Sequence, residues 1–308
     1  MKDQPFYREA ALLIRILPLV SKEDCFALKG GTAINFFWRD MPRLSVDIDL
    51  TFLPILNREE SLDGMSSTLE RIAKGVENMG RGFGARRTFA KDKTHITKLV
   101  VYDLQSRITI EPNEVLRGFV YEPVKKRLCQ QAQDIFEMSV SVKTLSFPDL
   151  YGGKICAALD RQHPRDIFDM KLLLDNEGIT TEVRKAFVVY LSSHDRPINE
   201  MFNPKRKDIS QAFEKQFLGM TTVDVSLDEL LAVREKYIRE ITSALTDEER
   251  RFLVSLKEGR PAWSLLGIEG IEKLPALQWK LQNILTLKSK NPGKHTEQLN
   301  KLRKCLEL

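Results

Sequence analysis

The residues with the clearest chemical potential lie between Lys29 and Leu50. A Gly30-Gly31 pair is followed, about fifteen residues later, by Asp47 and Asp49. Ser45 to Phe52 alternates polar and apolar residues, the period of a half-buried strand. Side chains two apart on a strand share a face, so Asp47 and Asp49 project together while Ile48 and Leu50 enter the core. Adjacent carboxylates repel, and a divalent cation removes that conflict. All-oxygen ligation suits Mg²⁺, one ion or two, which keeps several waters and shares its remaining positions with substrate phosphates. Glycine permits close backbone approach, and a helix start offers unpaired N–H groups to an anion. The segment can therefore hold a triphosphate at Gly30 and Gly31 and its metal at Asp47 and Asp49. Thr32 is placed to cap the helix that follows or to bond a phosphate. Ser45 shares the face of the two aspartates, and Arg43 can meet a phosphate or a carboxylate.

Gly-Gly followed by Asp-x-Asp on a strand resembles the nucleotidyltransferase superfamily of DNA polymerase β, which implies a third acid on a later strand, and Glu111 is the best placed to supply it. In the run Arg107 to Asn113, Arg107, Thr109 and Glu111 share one strand face and Ile108 and Ile110 the other. Asp103 and Glu114 are the alternatives, at a strand end and beyond Pro112.

The elements that must position these groups read as an α+β design. A helix is expected over residues 10–17, a short strand over 25–28 and a helix from Thr32 to Trp38. The strand over 45–52 and a helix over 59–79 follow, then strands over 83–90, 96–103 and 107–111. A last strand over 140–145 ends the first half. Helical periodicity then dominates: Ser146 with Asp149 opens a helix through Leu159, and Pro164 interrupts before a second helix over 167–174. More helices are expected over 182–191, 227–244, 247–256 and 277–287. The composition shift puts the domain change near residue 145: a mixed-sheet domain over 1–145 and a mainly helical one over 146–308.

The 308 residues are 42% hydrophobic and 30% charged, the balance of a soluble globular chain. No apolar run approaches the ~18 residues that a membrane helix needs. Residues 10–20, the best leader candidate, are broken by Arg15 and Pro18. The cysteines Cys25, Cys129, Cys156 and Cys305 are widely spaced, which fits free thiols in a reducing cytoplasm. A net charge of +5 suits a polyanionic partner. Basic residues cluster at Arg81, Arg86, Arg87, Lys91 and Lys93, at Lys205 to Lys207, and along the tail from Lys288 to Lys304. Aromatics do not interleave with them, so base stacking is not indicated. Trp263 and Trp279 are expected as core anchors of the helical half.

Gly-Gly, a short helix and Asp-x-Asp on a strand resemble the nucleotidyltransferase superfamily of DNA polymerase β. GGTAINFFWRDMPRLSVDIDL together with DLYGGKICAALDRQHPRDIFDMKLLL further resembles the AbiEii/AbiGii group of bacterial nucleotidyltransferases. HDRPINEMFNP and the run from Leu245 to Ile284 extend that resemblance over nearly the whole chain. It implies a polymerase-β-like mixed sheet and transfer of a nucleoside monophosphate from an NTP, with Asp47, Asp49 and Glu111 on the metal. It also implies a toxin of a type IV-like toxin–antitoxin pair, with a separately encoded antitoxin. MenT-type relatives add nucleotides to the tRNA acceptor end, so an RNA acceptor, tRNA, is expected. Nucleotidyl transfer to a protein or small molecule, and a nucleotide-binding regulatory module with little turnover, are the rival readings. Two positions carry over from the second motif: Lys154 as a cation for the triphosphate, and Asp166 to orient Lys154 or the acceptor hydroxyl. Asp169, three residues on, ranks below Asp166.

Overall fold

A computed structural model describes residues 5–308. The chain folds as two compact units, one of residues up to Ser146 with Leu218–Asp224, the other of Phe147–Phe217 with Val225–Leu308.

The first unit is built on one mixed sheet. Its strands are β1 (Phe26–Lys29), β2 (Asp47–Phe52), β3 (Gly84–Phe89), β4 (Ile96–Tyr102), β5 (Arg107–Asn113), β6 (Val124–Arg127) and β7 (Ser141–Thr144), in the order β3-β4-β5-β2-β1-β7-β6. β2 is parallel to β5 and β1 to β7; the remaining pairs are antiparallel. The helices of this unit are α1 (Pro5–Val20), α2 (Gly30–Ala33), α3 (Arg58–Glu77) and α4 (Gln130–Phe136), with a π-helical turn, Ile34–Trp38, continuing α2. Strict alternation sends Ile48 and Leu50 of β2, Leu99 and Val101 of β4, and Ile108 and Ile110 of β5 into the core. There the apolar stripe of α3, Met65, Leu69, Ile72 and Val76, is buried with them. Asn57 starts α3 by accepting from the Glu60 amide at 2.9 Å, a cap of about 1 kcal/mol.

The Thr32 cap expected from the sequence is not formed. The helix begins two residues earlier, straight out of β1, and its N-cap is Lys29 with no side-chain bond. The segment Leu218–Asp224 returns to this unit through the Leu44 amide on the Met220 carbonyl at 2.7 Å and the Thr222 amide on the Pro42 carbonyl at 2.9 Å.

The second unit holds α5 (Phe147–Arg161), α6 (Pro164–Asn176), α7 (Thr181–Ser192), α8 (Ile198–Phe202), α9 (Ser210–Gln216), α10 (Leu227–Ala244), α11 (Asp247–Lys257), α12 (Pro275–Lys290) and α13 (Pro292–Leu306). Pro164 opens α6 rather than breaking it, because its missing N–H is one that the first turn leaves unpaired anyway. α5 crosses α7 at Gly152, where a Cβ would sit 2.8 Å from the Ala186 carbonyl carbon and the Phe187 nitrogen. A capping box between Thr246 and Glu249 starts α11, and Glu249 also accepts from Arg184 at 2.8 Å. Trp263 stacks on Phe252 at 5.6 Å, but Trp279 is 49% exposed and is no core anchor.

Candidate active site

The first unit gathers eight of the expected residues. Gly30 leaves β1 with φ +69°, a conformation that only glycine adopts freely, and a Cβ there would lie 2.5 Å from Asp49 Oδ2. The bare backbone therefore lets the Asp49 carboxylate rest against the strand-to-helix turn. Gly31 does the same for Arg43, whose Nη2 would meet a Gly31 Cβ at 2.7 Å, with Ser45 Oγ at 3.1 Å. Arg43 is buried and donates from Nη1 to the Leu44 carbonyl at 2.9 Å. Thr32, also buried, bonds Ser45 Oγ at 2.9 Å and the Asp47 carbonyl at 2.5 Å. Thr32 thus ties the helix to the start of β2, and Ser45 and Arg43 lie against the glycine turn.

The carboxylates follow from strand register. Asp47 pairs with Thr109, and Asp49 with Glu111, across the parallel β2–β5 ladder, so all four side chains stand on one sheet face. Asp49 is half-buried and, among the described residues, its carboxylate makes no hydrogen bond or ion pair, the state of a carboxylate that a cation can complete. Glu111 is exposed and faces Lys98 at 3.5 Å. The alternatives are occupied: Asp103 caps its own turn by accepting from the Gln105 and Ser106 amides at 2.8 and 2.7 Å, and Glu114 pairs with His95 at 3.2 Å. Among the described residues no three His, Cys, Asp or Glu side chains close into a metal cage. The fit to Mg²⁺ rests on the donor chemistry: two carboxylates two residues apart, all oxygen, leaving other positions to water and phosphate.

The second unit holds Lys154 and Asp166 in one buried cluster. Lys154 Nζ donates to Asp166 Oδ1 at 2.9 Å and lies 2.9 Å from Asp169 Oδ2. Arg161 adds a second cation at 2.9 Å from Asp166 Oδ2. Lys154 is 6% exposed, Asp166 3% and Asp169 0%. Burial pushes the Asp166 carboxyl up, but the charges of Lys154 and Arg161 outweigh it and hold the group below the usual carboxylate range. Both aspartates lie 2.9 Å from the lysine, and their spacing on one helix face is the signal in the sequence.

One acid has no local signal. Glu9 of α1 shares a cavity of ≈ 320 Å³ with Asp47, Thr109 and Arg107. Burial, then the charge of Asp47, raises its carboxyl above the usual range, and Arg107 opposes the shift.

A mixed sheet with helices, a glycine turn at the end of one strand and Asp-x-Asp on its neighbour are the arrangement expected of a nucleotidyltransferase. The family model described as nucleotidyl transferase AbiEii toxin, type IV toxin–antitoxin system, matches residues 11–283, and the chain belongs to that family. The fold is similar to that of MenT4, a nucleotidyltransferase toxin from Mycobacterium tuberculosis, with TM-score 0.61, 15% identity, and coverage of 92% of this chain and 93% of that one. No curated protein matches the chain. Among the described residues no helix is long and apolar enough to cross a membrane.

Proposed function

We propose that this nucleotidyltransferase moves a nucleoside monophosphate from an NTP to the 3′ end of an RNA acceptor, tRNA, in a Mg²⁺-dependent reaction that releases pyrophosphate. The observation that carries the reading is the register that sets Asp47, Asp49 and Glu111 on one face, with Asp49 against the side-chain-free Gly30 turn. Asp47 and Asp49 would hold the metal, one ion or two. When bound, Mg²⁺ supplies charge stabilisation of the triphosphate and alignment of the reacting oxygens. The backbone at Gly30 and Gly31 would receive the phosphates, and Thr32, Ser45 and Arg43 keep that turn in place. Glu111, exposed beside Asp49, would take the proton of the attacking hydroxyl. Lys154 is assigned by its motif to the same reaction, with Asp166 and Asp169 as the groups that position it. The family's pairing of toxin and antitoxin supports a separately encoded antitoxin, and the substrates, NTP and tRNA, support a reaction in the cytoplasm.

The test is incubation with each NTP, labelled at the α-phosphate, together with Mg²⁺ and total RNA. Label on the tRNA fraction is expected. Label on protein or a small molecule contradicts the RNA acceptor, and no label with any of the four nucleotides contradicts turnover.

A further inference from the structure

The sheet face that carries Asp47 continues sideways into a row of different character. Asp47 pairs with Thr109, Thr109 with Val100, and Val100 with Arg86, so one residue from each of β2, β5, β4 and β3 stands side by side on the same face. At about 4.8 Å per strand the row is about 14 Å long. Arg107, two residues before Thr109, stands on that face too and pairs with Tyr102, which pairs in turn with Gly84. Asp47, Arg86, Val100, Arg107 and Thr109 line the ≈ 320 Å³ cavity together with Glu9, Val46 and Ile108.

We propose that this row is the acceptor track: Arg107 and Arg86 hold backbone phosphates of the last nucleotides of a single strand, Tyr102 stacks one of its bases, and the terminal hydroxyl lies at Asp47. The proposal rests on the transfer reaction above and specifies its acceptor as an unpaired polynucleotide end.

The fates of adjacent arginines support it. Arg87 points to the other face, where Glu70 and Glu77 both grip its guanidinium. Arg86 and Arg107 make no ion pair with any described residue; Arg107 feels the Glu9 carboxyl across the cavity, while Arg86 faces no described acid. Lys98, in the neighbouring row, is already engaged by Glu111. Tyr102 is 46% exposed, and its ring edge fills the space that the missing side chain of Gly84 leaves, which props the ring on the sheet with its remainder in solvent. Arginines beside an open aromatic ring on one sheet face are the pattern that binds single strands without reading their sequence. The linear sequence conceals this arrangement, since Tyr102, Arg86 and Arg107 lie on three different strands.

Binding needs no chemistry, so the test omits NTP and metal. Anisotropy of a fluorescent, unstructured hexaribonucleotide is measured against salt for the full chain and for Arg86→Gln, Arg107→Gln, Tyr102→Ala, Tyr102→Phe and Lys91→Gln, each checked by thermal unfolding. Each arginine variant should lower the slope of log affinity against log salt by about 0.7. Tyr102→Ala should weaken binding about 5- to 100-fold, and Tyr102→Phe, which keeps the ring, should bind normally. Lys91→Gln, exposed and off the row, should match the unsubstituted protein. Normal slopes and affinity in folded Arg86, Arg107 and Tyr102→Ala variants would overturn the track, as would equal competition by a duplex of the same sequence. If these variants behave as expected but no labelled NTP is transferred to RNA, the track stands and the transfer reaction fails.

Discussion

Gly30→Ala is the sharpest single perturbation of the proposed site. The added Cβ lies 2.5 Å from Asp49 Oδ2 and 3.3 Å from Asp49 Cβ and Cγ, whereas ordinary contact starts near 3.5 Å. The carboxylate must therefore retreat by about 1 Å, or the turn must open by as much. A misplacement of about 1 Å at a reacting group costs about 100-fold in rate. Alanine at φ +69° adds about 1–2 kcal/mol of backbone strain, and overpacking a further 1–3 kcal/mol. The expected outcome is a rate of label transfer lower by about two orders of magnitude, with a protein less stable by about 2–5 kcal/mol. Gly153→Ala is the control: its Cβ would meet nothing closer than Tyr190 Cε1 at 4.0 Å, inside helix α5, so it should be neutral or stabilising by up to about 1 kcal/mol. Transfer rate and thermal unfolding are measured on both. A folded Gly30→Ala protein that transfers label at the unsubstituted rate would refute the reasoning that ties Asp49 to this turn.

Lys154→Met should cost about 3–5 kcal/mol, since it leaves Asp166 and Asp169 buried without their shared cation, and Lys154→Met with Asp169→Leu should recover much of that loss in urea unfolding. The Asp166 carboxyl is held below its unfolded value, so its contribution is complete above about pH 4 and disappears as pH falls through the folded value. The destabilisation by Asp166→Asn should accordingly be large at pH 7 and shrink below about pH 4. Gly152→Ala should destabilise by about 1–3 kcal/mol, because its Cβ meets the backbone of α7 at 2.8 Å rather than a side chain that can swing away; unchanged thermal unfolding would show that α5 and α7 can part.

How far the sequence can be read depends on where the physics is local. β2, β4 and β5 announce themselves through period-two alternation of branched residues, and α10 spans Leu227–Ala244 as its pattern predicts. β6, with Val124 its one apolar residue before Lys125, Lys126 and Arg127, carries no such signal; as an edge strand it is held by pairing with β7. α13 reads as a basic tail in the sequence, yet Asn291 caps it and Leu302 and Leu306 are buried. Thr32 looks like a cap because Gly-Gly normally stops a chain segment, whereas here Gly30 turns β1 directly into a helix. Within the candidate site, the i, i+2 carboxylates are visible from strand parity, and Glu111 from parity together with the third acid that the superfamily resemblance implies. The approach of both Asp166 and Asp169 to Lys154, and that of Glu9 to Asp47, depend on tertiary packing. The basic clusters are likewise sorted by the fold: Arg206 pairs with Glu235, Lys301 with Glu297 and Arg303 with Glu258, while Arg86 stays free of any described acid.

The central claim is that Asp47 and Asp49 carry metal-dependent nucleotidyl transfer. Its most direct measurement follows pyrophosphate release and label incorporation into RNA in parallel, for the unsubstituted protein and Asp49→Asn, across a Mg²⁺ titration with a chelator end point. The account predicts equal amounts of both products, dependence on Mg²⁺, and loss of both in Asp49→Asn with thermal unfolding unchanged or raised, since removing one of two neighbouring carboxylates relieves repulsion. Undiminished, chelator-resistant transfer by Asp49→Asn would contradict it.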